Sequence, residues 1–188
     1  MKEVKITTPL DDNTIEKLNA GDRVYITGII YTARDAAHKR MVDSLKNGRK
    51  LPFDINNSII YYVGPCPPKP GQVIGSAGPT TSYRMDDYTP TLLKVGLKGM
   101  IGKGNRSKEV INSIVENNCV YFAAIGGAGA LISSCIKSSE VIAYEDLGAE
   151  AIRKLYVEDF PVIVAIDSRG NNLYDINRTK SKIEGERI

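Results

Sequence analysis

The strongest constraint on the fold is a series of short apolar segments that alternate with segments of helical periodicity. The apolar segments are rich in β-branched and aromatic residues, as buried strands are. The longest of them are residues 23–31, 58–63, 120–125 and 162–166. Between the first two, Ala37, Met41 and Leu45 recur at the spacing of an amphipathic helix. This order, which contains no internal repeat, predicts an α/β domain with a mixed sheet.

The overall composition is that of an ordinary globular domain and argues against several classes of protein. A chain of 188 residues with 42% hydrophobic and 25% charged residues is large enough to bury one core. The net charge of +3 is small and the basic residues are scattered, which argues against a nucleic-acid partner. No apolar run approaches the roughly 20 residues that span a bilayer, and residues 1–5 lack the apolar core of a signal peptide. We therefore expect a cytoplasmic protein without a membrane partner.

The last third of the chain predicts one more helix and an irregular end. Residues 151–155 have apolar side chains at helical spacing, and residues 157–161 are typical of a turn. Residues 175–188 are charged and lack apolar periodicity. The sequence therefore predicts a single domain over residues 1–174, followed by a loose charged tail.

Residues 78–86, with the sequence GPTTSYRMD, are too polar for a strand or a core helix. The glycine and proline predict a defined turn, after which backbone N–H groups and three hydroxyls share a small volume. Arg84 adds a fork of donors that matches a carboxylate, and successive N–H groups can form a concave anion nest. The stretch predicts a receptor for a small anion. The alternative is a surface turn rich in Ser and Thr that carries a solvated arginine.

Arg34 falls in the first turn of a predicted helix, a place where its charge is unfavourable. The helix is expected to start within residues 32–35 and to end near Asn47. A helix macrodipole disfavours a cation at its N-terminus. An anion held between Arg34 and the helix N–H groups would explain the arginine, and a local pair with Asp35 is the alternative.

Lys103 lies between two glycines after a short predicted strand. Such glycines let a backbone approach a ligand closely while the ammonium group reaches it, although a solubilising lysine on a surface turn has the same pattern. Arg34, Arg84 and Lys103 all follow strand-like segments, where ligand sites of open sheets tend to lie. Their convergence would fit a small dianion, such as a dicarboxylate.

A glycine-rich turn, residues 126–129, separates a predicted strand from a predicted helix. This arrangement can bind a phosphate or a carboxylate at the N-terminus of the helix. The full dinucleotide fingerprint is absent, because the Gly-x-Gly pattern is not followed by glycine at the required step. A nucleotide site and tight packing of the strand against the helix are both compatible with the turn.

The three cysteines, Cys66, Cys119 and Cys135, do not form a recognisable ligand pattern. They are far apart in the sequence, no Cys-x-x-Cys pair occurs, and His38 is the only histidine. The sequence therefore predicts neither a disulfide framework nor a self-contained zinc site, and an iron–sulfur cluster would need all three thiols to meet through folding. Cys119 and Cys135 are predicted to be buried apolar residues.

Six motifs together are similar to those of one enzyme family. They are Gly21-Asp22-x-Val24, Thr27-Gly28, Ala33-Arg34-Asp35-Ala36-Ala37-His38-Lys39-Arg40, Gly78-Pro79-Thr80-Thr81-x-x-Arg84-Met85-Asp86, Gly102-Lys103-Gly104 and Glu158-Asp159-Phe160-Pro161. Over residues 3–174 the chain resembles the beta subunit of class I fumarate hydratase. The beta subunit of L-tartrate dehydratase belongs to the same group of iron–sulfur hydro-lyases. The resemblance implies a swivelling β/β/α domain of three layers.

The resemblance also implies one subunit of a lyase. With an alpha subunit, the chain is expected to act as a fumarate hydratase of the tricarboxylic acid cycle, which reversibly hydrates fumarate to (S)-malate. The alpha subunit would carry the three cysteines that hold a [4Fe–4S] cluster, in an α2β2 hetero-oligomer, and no metal ligand is implied in this chain. The alternatives are the beta subunit of L-tartrate dehydratase and a non-catalytic module that binds an anion or a nucleotide.

The family's functional residues can be placed on matching positions of this sequence. Arg34, Arg84 and Lys103 resemble the residues that bind the carboxylates of the substrate. Thr80 resembles the residue proposed to take and return the C3 proton, and with Arg34 it makes up the implied catalytic pair. The implied supporting residues around them are Asp35, His38 and Thr81, of which the first two would hold Arg34 and the start of its helix.

Overall fold

The computed structural model of the protein describes residues 2–124 and 129–176. The strands are β1 (Glu3–Thr7), β2 (Arg23–Thr32), β3 (Ile59–Tyr61), β4 (Gly99–Gly102), β5 (Val120–Ala124), β6 (Ile136–Ala143) and β7 (Ile152–Ile166). The α-helices are α1 (Asp12–Glu16), α2 (Asp35–Lys46), α3 (Thr89–Lys94), α4 (Lys108–Glu116) and α5 (Gly129–Cys135). Two 3₁₀ helices span Ser82–Met85 and Glu145–Glu150.

The seven strands form one mixed sheet that closes on itself. Strands β1 to β5 run parallel to one another in chain order, and β7 pairs antiparallel with β5 and with β6. Along nearly its whole length, β7 also pairs with β2. Because β7 joins β5 to β2, the strands from β2 to β5 are held in a closed, barrel-like ring.

The central parallel strands β3, β4 and β5 are buried on both faces, which explains their continuous apolar sequences. Successive residues of β3 and its extension alternate between two cores. Tyr61 packs in the first core with Phe122 and Phe160, and Tyr62 packs in the second core with Tyr121. Side chains of α2, α3 and α4 complete the second core, so that a helical layer covers one face of the sheet. The α/β class with a mixed sheet is therefore confirmed.

Most of the elements predicted from periodicity are present with nearly the predicted limits. Helix α2 begins at Asp35, within the predicted window, and ends one residue before Asn47. Ser107 caps α4 as its sequence suggests, since its hydroxyl accepts a hydrogen bond of 3.2 Å from the N–H of Val110. These local elements depend on caps and spacing that are visible in the sequence alone.

The helix predicted at residues 151–155 and the turn predicted at 157–161 are both wrong. Residues 152–161 belong to β7, whose buried positions Leu155, Val157 and Phe160 face one core. The apolar spacing suits a helix as well as a bulged strand, and pairing with β2 decides between them. At the bulge, Asp159 adopts a left-handed backbone with a φ of 46°.

Two predictions fall wholly or partly outside the described residues. Residues 125–128, which hold most of the glycine-rich turn, and residues 177–188, which form most of the predicted tail, are not among them. The tail, the domain limit at residue 174 and the nucleotide hypothesis stay predictions. None of the helices in the described ranges has the length and hydropathy that crossing a membrane requires.

Candidate active site

The cations predicted from the sequence follow parallel strands that end at the same edge of the sheet. Arg34 comes two residues after the end of β2, and Lys103 comes directly after the end of β4. Because β2, β3 and β4 are parallel neighbours, their carboxyl ends meet at this edge. The fold therefore brings Arg34 and Lys103, which are separated by almost 70 residues of sequence, to the carboxyl edge of the sheet, hereafter the rim.

The polar stretch at residues 78–86 lies across the ends of β3 and β4. The N–H of Thr80 donates a hydrogen bond of 2.7 Å to the carbonyl of Tyr62, directly after β3. Thr81 forms an isolated parallel bridge with Lys103, and the N–H of Ser82 donates to the carbonyl of Lys103 at 2.9 Å. These contacts place the hydroxyl-rich turn beside the lysine.

Arg84 reaches the start of α2 from the opposite side. Its Nη2 contacts the carboxylate of Asp35, the first residue of that helix. Asp35 was expected to hold Arg34, but its carboxylate pairs with Arg84 instead. Its other carboxylate oxygen, Oδ1, is buried without a hydrogen-bond partner among the described residues. The pair connects the 3₁₀ helix Ser82–Met85 to α2 and brings the second arginine to the rim.

Arg34 pairs with a carboxylate that the sequence analysis did not identify. Its Nη2 lies 3.3 Å from Oε1 of Glu150, and the other oxygen of Glu150 accepts a hydrogen bond of 3.1 Å from the N–H of Ala36. The anion predicted between the arginine and the helix N–H groups is thus a side chain of the protein itself. No local pattern marks Glu150, because it reaches α2 only through the tertiary fold.

Gly64 provides the surface on which Arg34 lies. A Cβ atom at this position would lie 2.9 Å from Nη1 and 3.2 Å from Cδ of Arg34. The absence of a side chain at Gly64 therefore lets the guanidinium lie against the backbone that follows β3.

Lys103 is held through its backbone, while its side chain is exposed. Its N–H donates to Oγ of Ser82 at 3.1 Å, and that hydroxyl bonds the Tyr121 hydroxyl at 2.9 Å. Tyr121 in turn donates to the carbonyl of Gly104 at 2.8 Å, which completes a chain of hydrogen bonds around the lysine. Among the residues that the structure describes, no carboxylate forms an ion pair with Lys103.

A buried ion pair beneath the rim was also missed from the sequence. Nε of Arg106 donates to Asp86 at 2.6 Å, and the second oxygen of Asp86 accepts from the N–H of Ser107 at 2.6 Å. The guanidinium of Arg106 also lies over the rings of Tyr62 and Tyr121. The pair ties the end of the polar stretch to the loop that follows Lys103.

His38 is fully buried behind Arg34. Its Nδ1 lies 2.9 Å from the carbonyl oxygen of Arg34, so the ring donates through Nδ1 and helps to hold the arginine backbone. Nε2 is buried and has no hydrogen-bond partner among the described residues. Burial, together with the charge of Arg106, lowers the pKa of His38 to about 4, although the Arg34 carbonyl and Asp35 act in the opposite direction.

The depressed pKa of His38 predicts a loss of stability in weak acid. The unfolded chain gains a proton near pH 6.5 and the folded chain only near pH 4, so the free energy of unfolding falls as pH drops through this window. A shift of this size corresponds to about 3 kcal/mol. Denaturant unfolding of the protein and of the His38→Asn variant, from pH 7 to pH 4, measures the effect. We expect the difference between them to shrink toward pH 4, and parallel curves would contradict the prediction.

Three of the predicted site residues thus carry positive charge, and the fold connects all of them through neighbouring elements. The guanidinium groups of Arg34 and Arg84 each have one carboxylate partner, and the exposed ammonium of Lys103 has no ion-pair partner in the described ranges. The half-buried Thr80 is held by its backbone at the same rim. Chemically, such a rim can bind a small anion with more than one negative charge.

Within residues 2–124 and 129–176, the side chains do not fit an iron–sulfur cluster or another metal centre. Among the described residues, no group of three or more His, Cys, Asp or Glu side chains could hold a metal ion. Cys66 is exposed, Cys119 is buried and Cys135 is half-buried. Burial raises the pKa of the Cys119 thiol to about 12, which keeps it from being the thiolate that a metal needs.

Comparison with known proteins indicates one family over nearly the whole chain. The model of the family described as the fumarase C-terminus matches residues 1–177. The putative L(+)-tartrate dehydratase subunit beta of Methanocaldococcus jannaschii is 42% identical over 172 residues. Fumarate hydratase 2 of Leishmania major is 36% identical over 176 residues, and the aerobic class I fumarate hydratase of Escherichia coli (strain K12) is 40% identical over 154 residues.

The share of each relative that this chain covers differs sharply. The matched region is 88% of the Methanocaldococcus jannaschii protein and 88% of this chain. The corresponding regions take up 92% and 81% of this chain, but only 31% of the Leishmania major protein and 28% of the Escherichia coli protein. The region shared with this chain is therefore most of the first relative and less than a third of each of the other two.

Proposed function

Because the chain belongs to the family of the fumarase C-terminus, we propose that it is the beta subunit of a two-subunit hydro-lyase. The proposed reaction is the reversible hydration of fumarate to (S)-malate. Relatives named fumarate hydratase support this substrate. The extent of the match to a relative named as a beta subunit supports the subunit assignment.

The observation that carries the proposal is the convergence of three cations and a threonine at one edge of the sheet. Fumarate and malate are dianions, and guanidinium forks bind carboxylates through paired hydrogen bonds. We propose that Arg34, Arg84 and Lys103 bind the substrate carboxylates. Their positions around Thr80 support this, because the substrate would then be held beside the threonine hydroxyl.

We propose that Thr80 takes the C3 proton from malate and returns it in the reverse direction. A threonine hydroxyl is an intrinsically weak base, so it needs neighbouring positive charge to stabilise an alkoxide. We propose that Lys103 gives such stabilisation, and its backbone bridge to Thr81, the residue next to Thr80, supports this role. In the proposed site, Thr81 and Asp35 hold Lys103 and Arg84 respectively, and His38 holds the backbone of Arg34.

The proposed enzyme needs an alpha subunit. The fumarate hydratase relatives are more than three times as long as the region they share with this chain, which supports the need for further residues from a partner. We propose that an alpha subunit holds the [4Fe–4S] cluster, in a cytoplasmic α2β2 complex of the tricarboxylic acid cycle. We also propose that residues 1–174 form a swivelling β/β/α domain, with which the closed sheet and its helical layer are compatible.

Tartrate dehydration is the second candidate function. The relative that this chain matches over 88% of both lengths is named a tartrate dehydratase subunit. Tartrate is also a four-carbon dicarboxylate, so the three cations of the rim suit both substrates equally.

Anaerobic co-purification with candidate alpha subunits from the same source tests the proposal. We expect a brown complex that hydrates fumarate, although neither chain alone does so. A complex that is active on tartrate and inert to fumarate would favour the second candidate. A failure to form any complex with these subunits would contradict the assignment as a beta subunit.

A further inference from the structure

We propose that Glu150 is a positioning residue for Arg34, an inference that rests on the proposed function. Glu150 lies in the 3₁₀ helix Glu145–Glu150, far in sequence from the motifs that contain Arg34, Arg84 and Lys103. Its carboxylate bridges two groups of the site, Nη2 of Arg34 at 3.3 Å and the N–H of Ala36 at 3.1 Å. It thereby fixes the guanidinium relative to the start of α2.

The segment that holds Glu150 also contacts α2 at a more exposed position. The same 3₁₀ helix is joined to α2 by a second ion pair, in which both Nη atoms of Arg40 lie 2.8 Å from the carboxylate of Asp146. The ring of Tyr144 lies beneath Arg40, with 4.8 Å between the guanidinium carbon and the ring centroid. The ion pair of Arg40 is more exposed than the pair of Arg34 and Glu150, so we expect it to contribute little to the position of either of these two residues.

The hydrogen bonding of Arg34 is incomplete in a way that fits this role. Nη2 is taken by Glu150, whereas Nε is buried and has no hydrogen-bond partner among the described residues. A buried donor without an acceptor costs free energy, so this is a place where an acceptor from outside the chain would be stabilised. We infer that Glu150 holds one side of the guanidinium and leaves the other donors for a carboxylate of the substrate.

If only simple electrostatics acted, removing the charge of Glu150 would strengthen the binding of the substrate. The positioning role predicts weaker binding. Arg34, Arg84 and Lys103 contribute three positive charges, which Asp35 and Glu150 partly offset. If Glu150 only reduced the positive potential or competed with the substrate, its neutralisation would strengthen the binding of a dianion. If it positions Arg34, neutralisation weakens binding. The sign of the change therefore separates the two roles.

The test compares steady-state kinetics of the complex with its alpha subunit, using wild-type chain and the Glu150→Gln variant. Glutamine can still accept from the N–H of Ala36 but loses the charge that holds Arg34. We expect KM for the dicarboxylate to rise about tenfold, with a smaller change in kcat, since the arginine is less well oriented for binding. Asp146→Asn is the matched control, because it removes the other ion pair between the same two segments, and its KM should match that of wild type.

The outcomes of this experiment distinguish a failure of the role of Glu150 from a failure of the proposed function. A Glu150→Gln complex with an unchanged or lowered KM, beside an active wild type, overturns the role of Glu150 and leaves the proposed function standing. An inactive wild-type complex overturns the proposed function, and the inference falls with it. If the glutamine variant does not assemble, Glu150→Asp replaces it, because the shorter side chain draws the carboxylate away from Arg34. An unchanged KM in that variant, and an unchanged inhibition constant for succinate, would equally overturn the inference.

Discussion

Replacing Asp86 with asparagine is expected to lower the free energy of unfolding by about 3–5 kcal/mol. The side chain of Arg106 has no exposed surface, and Asp86 is its ion-pair partner. Asparagine keeps the volume and one acceptor, but it removes the charge that compensates the guanidinium. Among the described residues, the other groups in contact with that guanidinium are Tyr62, Tyr121, the hydroxyl of Thr89 and the sulfur of Met100, none of which is an anion.

Chemical denaturation of the purified variants measures this effect. Asp87→Asn is the matched control, because it makes the same change one residue further along, at an exposed position. We expect it to change the free energy of unfolding by less than about 0.5 kcal/mol. The double variant Asp86→Asn with Arg106→Met should recover part of the loss, since it removes the uncompensated buried charge. Equal stabilities of the Asp86 and Asp87 variants would refute the argument.

Replacing Arg84 with lysine is expected to lower kcat/KM of the assembled complex by a factor of about ten or more. Lysine keeps the positive charge and can still pair with Asp35, but it cannot offer two parallel donors to a substrate carboxylate. The ion pair of Arg84 is partly exposed, so its change should cost no more than about 1 kcal/mol of stability. The expected phenotype is thus a folded complex with impaired catalysis.

Arg40→Lys is a closely matched control for this experiment. Arg40 also pairs with an aspartate, and its side chain is 40% exposed, compared with 41% for Arg84. Its partner Asp146 lies outside the proposed substrate-binding set, so wild-type kinetics are expected. If Arg84→Lys and Arg40→Lys had the same kcat/KM as wild type, Arg84 would not belong to the active site.

The residues that follow strand ends could be predicted from the sequence because the rule behind them is local. Arg34 and Lys103 each follow a buried strand. Because these strands are parallel, both residues lie at the carboxyl edge of the sheet. Helix limits could also be predicted from the sequence, since caps such as Ser107 lie within a few residues of the helix that they begin. For these features, the neighbouring sequence contains the physical cause.

The features that escaped prediction depend on contacts between distant parts of the chain. Glu150 reaches Ala36 across more than 100 residues, and Arg106 reaches Asp86 across 20 residues and a strand. The first half of β7 has apolar spacing that a helix would share, and only its pairing with β2 selects the strand. Local periodicity cannot distinguish a helix from a strand here, because the strand that pairs with these residues lies far away in the sequence.

The pairing of β7 with β2 also determines when the proposed active site can form during synthesis. Strand β2 emerges early, but its partner residues follow more than 100 residues later, immediately after Glu150. Until then Arg34 lacks its carboxylate and one edge of β2 is unpaired, a state that is prone to wrong associations. Contacts of such long range slow folding. The ribosome therefore delivers the segment that closes the sheet and the residue that orients the arginine almost together, and the site is completed last.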